Sequence, residues 1–127
     1  MKEKLLKLLN NAYASYSKFY VSAVLVMKDG TEFYGVNVEN ASYGATICAE
    51  RNAITTAITN GYTKGDFKEL YVMTSGEKIS SCCFICRQVI TEFFDKNSKI
   101  TLMDKEGNTK ILSVNEMCPY PFDETDL

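Results

Sequence analysis

The chain has 127 residues, 46% of them hydrophobic, and a formal net charge of −2. That length fits one domain, residues 1–127, with core enough to stand without a disulfide scaffold. The charge argues against the basic field by which proteins hold nucleic-acid phosphates, and no apolar run reaches the about 20 residues that span a bilayer. A small, roughly neutral ligand is the expected partner, with no nucleic acid and no membrane. Met1-Lys2-Glu3-Lys4 opens an amphipathic pattern rather than a secretory leader, so the cytoplasm is the expected compartment.

In chain order, Leu5, Leu6, Leu8, Leu9, Ala12 and Tyr13 recur at helical spacing and predict an amphipathic helix over 2–15. Residues 21–28, rich in Val, Ala and Leu, read as a strand. Asp29-Gly30 marks a hairpin turn into a second strand over 31–38. A polar loop from Glu39 to Gly44 leads to a helix over 46–60, stopped by Asn60-Gly61. Residues 68–74 read as a short buried strand. Ser80 and Ser81 are N-cap candidates for a helix running to about residue 95. Residues 99–103 and 109–113, joined through Glu106-Gly107-Asn108, read as a second hairpin. A helical turn near 113–118 precedes the tail. Helices interleaved with strands predict an α/β fold, a mixed sheet of about five strands with helices on its faces in three layers.

Residue types narrow the chemistry. The chain contains five cysteines and no histidine. Histidine ligands, Ser-His and Cys-His nucleophile pairs, and histidine acids or bases are all excluded. A metal site must use thiolates and carboxylates, and a proton carrier must be Glu, Asp, Lys, Tyr or Cys. In a cytosolic protein such cysteines point to metal or redox chemistry before disulfides. Cys48 sits at one predicted helix start, with Glu50 two residues on. Cys83 and Cys86 form a C-x-x-C at the next helix start. Helix N-termini carry partial positive charge and free N–H groups, which favour thiolates. Three thiolates leave one tetrahedral position open, the pattern of a catalytic zinc site. Their negative charge weakens the metal as a Lewis acid, and Arg51 and Arg87, each following a motif residue, are candidates to offset it. Cys82 competes with Cys83 for the register: Cys83 gives two residues between it and Cys86, Cys82 gives three.

Cys48-Ala49-Glu50 with Cys83-Phe84-Ile85-Cys86 fits the paired signature of zinc nucleobase deaminases. Tyr16-Ser17-Lys18-Phe19, the run Gly35 to Gly44, Ile47 to Arg51, Cys86 to Val89 and Pro119-Tyr120 to Phe122 extend the likeness nearly end to end. The chain thus resembles the small, three-cysteine, homotetrameric cytidine deaminases that act on free nucleosides. The resemblance implies zinc on Cys48, Cys83 and Cys86, with Glu50 as proton shuttle. It implies that Asn37 and Glu39 hold the ribose hydroxyls, Phe19 packs beside the pyrimidine, and the Ala49 N–H meets the base carbonyl. Arg51 would hydrogen-bond the zinc-ligand sulfurs, and Tyr43 and Phe122 would reach neighbouring subunits' sites. The implied activity is hydrolytic deamination of cytidine or deoxycytidine, releasing ammonia, in pyrimidine salvage.

The chain departs from the family beside this site. Cys82 and Phe84 stand where Pro and Gly are usual, and F-P-V-G-A becomes Phe19-Tyr20-Val21-Ser22-Ala23. These changes keep a second reading open, a deaminase of another amino-pyrimidine nucleoside such as blasticidin S. Two rivals from other classes also stand: a structural zinc module with Cys82 or Cys118 as fourth thiolate, and a dithiol redox protein using Cys83 and Cys86.

Overall fold

The computed structural model describes residues 1–127. Lys2–Leu9 form helix α1, Val21–Met27 and Glu32–Val36 strands β1 and β2, and Ala49–Thr59 helix α2. Phe67–Thr74 form β3, Phe84–Phe93 α3, Phe94–Met103 β4, Thr109–Ser113 β5 and Val114–Met117 α4. Short 3-10 turns lie at Tyr43–Ala45 and Glu124–Asp126. The five strands make one mixed sheet in the order β2-β1-β3-β4-β5. Only the β3–β4 pair is parallel, bridged by α3 in a β-α-β crossover. No helix is long and apolar enough to cross a membrane.

Each face of the sheet closes its own core. On one side Leu5 and Leu9 of α1 pack with Val24, Met73 and Met103. On the other, Ala53, Ile54 and Ala57 of α2 and Cys86 and Ile90 of α3 cover Ala23, Leu25, Leu70, Val72, Ile100 and Leu102. Strand residues alternate between these cores, as the pleat requires. β1 faces helices on both sides, which is why it reads as a nearly unbroken apolar run. Ser22, the polar exception, is fully buried and donates to the Leu5 carbonyl at 2.9 Å, tying α1 to the sheet.

The predicted layers and strands appear, and several boundaries move. The first helix stops at Leu9 rather than continuing to 15. Ala12 and Tyr13 keep helical spacing, but the Tyr13 backbone pairs with the returning chain, receiving from Glu39 N and donating to Asn37 O. The second helix starts at Ala49, not 46, because Ile47 is held extended against Val38. Ser80 and Ser81 do not cap α3; Cys83 does, its sulfur accepting from Cys86 N. Ser81 Oγ instead receives a guanidinium hydrogen from Arg87. α3 ends at Phe93, and β4 begins at Phe94, opposite Phe67.

One close approach fixes where α2 begins. A Cβ on Gly35 would lie 2.1 Å from the Ala49 carbonyl oxygen and 2.7 Å from the Ala53 nitrogen. The backbone of β2 therefore touches the first turn of α2, and Asn52 Nδ2 donates to the Val36 carbonyl at 2.8 Å to hold it there. Gly35→Ala must push β2 and α2 apart. We expect a loss of about 3 kcal/mol in urea unfolding, from overpacking against backbone, with weakened metal retention because Cys48 moves with α2. An unchanged unfolding midpoint would show that the two elements can separate freely.

Candidate active site

The site forms where α2 and α3 begin. Cys48 and Cys83 are the N-cap residues of these helices, both with extended backbone (φ −71°, ψ 155° and φ −67°, ψ 162°). Their sulfurs lie 3.8 Å apart. With Cys86 Sγ, all three sulfurs fall within 4.8 Å of one another. Thiolates about 2.3 Å from a tetrahedral zinc lie about 3.8 Å from each other, so the donor set fits one such ion. The cluster contains Cys83 and not Cys82. Cys118 lies outside it as well.

The local field favours deprotonated sulfur. Both helix starts turn their free N–H ends toward the cluster, and Cys86 N donates to Cys83 Sγ at 3.5 Å. Arg51 Nη2 reaches Cys48 Sγ at 3.6 Å. Its Nε is buried without a partner. The Cys48 thiol is pushed down to about 5, first by its hydrogen bond with Cys86, then by Arg51 and Cys83. The same partnership pushes the Cys86 thiol up. A bound dication favours loss of the proton from both sulfurs.

Glu50 occupies the first turn of α2 and is only 4% exposed. Burial raises its carboxyl above the usual carboxylate range, and the nearby Cys48 adds to this. A carboxyl so placed accepts and returns a proton more readily than a solvated one. Cys82 is buried in the core under α2 and α3, and burial pushes its thiol well up, with Glu50 next in effect. Its sulfur is not part of the three-sulfur cluster. Arg87, expected as a second cation for the sulfurs, turns away. Its Nε donates to Cys82 O at 2.8 Å and its Nη1 to Met117 O at 2.9 Å, while the Phe84 ring lies 4.3 Å from its guanidinium carbon. It clasps the start of α3 to α4; its place after Cys86 did not reveal that, because its partners are backbone carbonyls distant in sequence.

The remaining predicted residues surround two loops. Asn37 is buried; its Oδ1 accepts from Val21 N and its Nδ2 donates to Phe19 O, each at 2.8 Å. Glu39 Oε1 accepts from Tyr16 N and Ser17 N, both at 3.1 Å, and its Oε2 from the Ser17 hydroxyl. These bonds hold the Glu39 carboxyl below the usual range. Phe19 is partly exposed, with Cε2 beside Gly76, where a Cβ would approach it to 3.2 Å. Ala49 is fully buried at the first position of α2. Tyr43 is 75% exposed and edge-on to Tyr16. Phe122 is also exposed, its carbonyl accepting from Gln88 Nε2 at 2.8 Å. The engagement of Asn37 and Glu39 with residues 16–21 was invisible in the sequence, since the partners lie far off in the chain and all but the Ser17 hydroxyl are backbone atoms.

Three sulfurs spaced for one dication leave one tetrahedral position open, the arrangement of a catalytic rather than a structural zinc site. Residues 1–102 match the family model of the cytidine and deoxycytidylate deaminase zinc-binding region, and the chain belongs to that family. It is 40% identical over 116 residues to a cytidine deaminase of Sporosarcina psychrophila, covering 91% of this chain and 84% of that one. A cytidine deaminase of Mycoplasma genitalium is 35% identical over 115 residues, covering 91% and 87%. The crystal structure of cytidine deaminase from Burkholderia pseudomallei superposes with a TM-score of 0.90 at 38% identity, over 94% of each chain.

The contact between Arg51 and Cys48 gives a direct test. In protein stripped of metal by a chelator, Cys48 should alkylate with a midpoint at about 5. Arg51→Gln removes a cation from the thiolate, so the midpoint should rise and the alkylation rate at pH 6 should fall. An unchanged midpoint would mean that Arg51 does not act on this sulfur.

Proposed function

We propose that this protein hydrolyses the exocyclic amino group of cytidine and deoxycytidine, giving uridine or deoxyuridine and ammonia, with one zinc ion held by Cys48, Cys83 and Cys86. The observation that carries the reading is the three-sulfur cluster beside the buried Glu50. When bound, zinc supplies a Lewis acid that brings the ionisation of water near neutral pH. Glu50 takes one proton from the attacking water and delivers it to ring N3; it then takes the second proton from the hydroxyl now on C4 and gives it to the amino group, so that the carbonyl forms as the C4–N bond breaks and ammonia leaves. The raised Glu50 carboxyl suits both the accepting and the donating step. Arg51 tempers the negative charge of the sulfurs. The Ala49 N–H, free at the start of α2, meets the base carbonyl. Phe19 offers an aromatic wall to the flat base. Asn37 and Glu39 meet the sugar hydroxyls with the hydrogen-bonding capacity their own contacts leave free: a carboxylate has about four acceptor sites, and an amide two donors.

Loss of cytidine absorbance tests the activity. Zinc should be near one per chain in protein purified without added metal, and chelation should abolish turnover. Glu50→Gln should keep zinc and fold while kcat falls by about 10²–10⁴-fold, the usual contribution of a positioned acid–base group. A fourth sulfur in the zinc X-ray absorption spectrum, or full turnover by Glu50→Gln, would defeat this reading.

The exposed aromatic side chains support a homotetramer with shared sites. Tyr43, Phe84, Tyr120 and Phe122 all lie on the surface of the isolated chain, with Tyr120 at 97% exposure. Aromatic residues are enriched in protein interfaces, and here Tyr43 and Phe122 would complete a neighbour's pocket. Free thiols suit a reducing cytoplasm, where the enzyme would act in pyrimidine salvage. Light scattering should give four times the chain mass. Phe122→Ala should lower kcat/KM by about tenfold, the scale of a buried aromatic contact; a fully active monomer would remove the assembly from the proposal.

A further inference from the structure

The loop Tyr16-Ser17-Lys18-Phe19 carries a construction that the proposed roles of its neighbours do not explain. Lys18 is the only non-glycine residue with positive φ, at 60°. That conformation is costly for a side chain with a Cβ and persists only where its surroundings hold it. The hold is visible. Lys18 N donates to the Ala14 carbonyl at 2.9 Å. Ser17 Oγ then does two things at once: it donates to Glu39 Oε2 and accepts from Phe19 N at 3.0 Å. On the far side of Phe19, the carbonyl accepts from Asn37 Nδ2. A single hydroxyl therefore joins the carboxylate proposed for the sugar to the backbone of the aromatic residue proposed for the base.

We infer that Ser17 is a positioning residue for nucleoside recognition, its hydroxyl fixing the Glu39 carboxylate in the orientation that receives the sugar hydroxyls. The inference rests on the proposed sugar contact of Glu39. Two backbone N–H groups anchor Oε1, but a carboxylate anchored through one oxygen can still swing the other. The Ser17 hydroxyl is the side-chain group that fixes Oε2, leaving a defined lone pair for a ligand hydroxyl. Hydrogen bonds to charged groups are stronger than neutral ones, so loss of the bond leaves Oε2 free to turn toward water. Preorganisation of this kind shows as substrate affinity rather than as the rate of the chemical step. It should also depend on the sugar hydroxyls being present.

The test compares cytidine with 2′,3′-dideoxycytidine, which lacks both ring hydroxyls, in wild type, Ser17→Ala, Ser17→Thr and Glu39→Gln. For cytidine, Ser17→Ala should raise KM about tenfold, the scale of one charge-assisted hydrogen bond, with the loss falling on KM rather than kcat. For the dideoxynucleoside the same change should be at most about threefold, and Ser17→Thr, which restores the hydroxyl, should recover most of the cytidine KM. If Ser17→Ala does not fold, Ser17→Cys, of similar size but a weak donor, must show the same split between the two substrates. Equal losses on both nucleosides, or no rescue by threonine, overturn the role of Ser17. Wild-type protein that does not deaminate cytidine, or a Glu39→Gln variant whose loss is as large on the dideoxynucleoside as on cytidine, overturns the sugar reading beneath it and the inference with it.

Discussion

The structure depends on two helices beginning at the same place. α2 and α3 lie on one face of the sheet and bring Cys48 and Cys83 together as their N-caps, with sulfurs 3.8 Å apart. An N-cap cysteine gains nothing as a cap compared with Ser, Thr or Asp. Cys48 makes no cap hydrogen bond and Cys83 accepts one from Cys86 N, while the two sulfurs face each other across the gap. The helix ends supply partial positive charge where three sulfurs must lose their protons. The closeness of β2 to the first turn of α2, possible because residue 35 is glycine, holds one half of this arrangement in place.

Charge then divides the residues around the cluster into two environments. Cys48, bonded to Cys86 and touched by Arg51, is driven toward the thiolate, while its partner Cys86 and the buried Cys82 and Glu50 are driven toward their neutral forms. A sulfur that takes a metal readily and a carboxyl that carries a proton need the settings of Cys48 and Glu50. Arg51 and Arg87 illustrate the same division. Both follow a motif residue, yet one meets a sulfur and the other meets carbonyls of the segments that frame α3.

A second network lies on the other side of the site and is made of neutral and carboxylate oxygens rather than sulfur. Asn37 and Glu39 lie on the chain that leaves β2, and their side chains grip residues 16–21. Val38, between them, pairs with Tyr13 on one side and Ile47 on the other. That short three-stranded crossing ties the stretch before the Phe19 loop and the stretch leading to Cys48 to the same segment, residues 37–39. The groups proposed for sugar, base and metal are thereby linked through backbone rather than left on independent loops.

Much of this was legible in the sequence. Local patterns gave the order of elements, the two hairpins and the three-layer class, because apolar periodicity and turn residues act over a few positions. Spacing and residue type singled out Cys48, Cys83, Cys86 and Glu50, and the want of histidine confined the metal site to thiolates. What local pattern could not supply was any boundary set by a distant partner. The first helix stops at Leu9 because Tyr13 pairs with residues 37–39; α3 is capped by Cys83 because Ser81 is occupied by Arg87; and β4 begins at Phe94 because Phe67 lies opposite. The function of Ser17, the clasp made by Arg87 and the burial of Cys82 belong to the same class. The sequence by itself determined which chemistry this protein can carry. Only the tertiary structure decided which side chains are left free to carry it, since hydrogen bonds and burial between residues far apart in the chain leave no trace in local spacing.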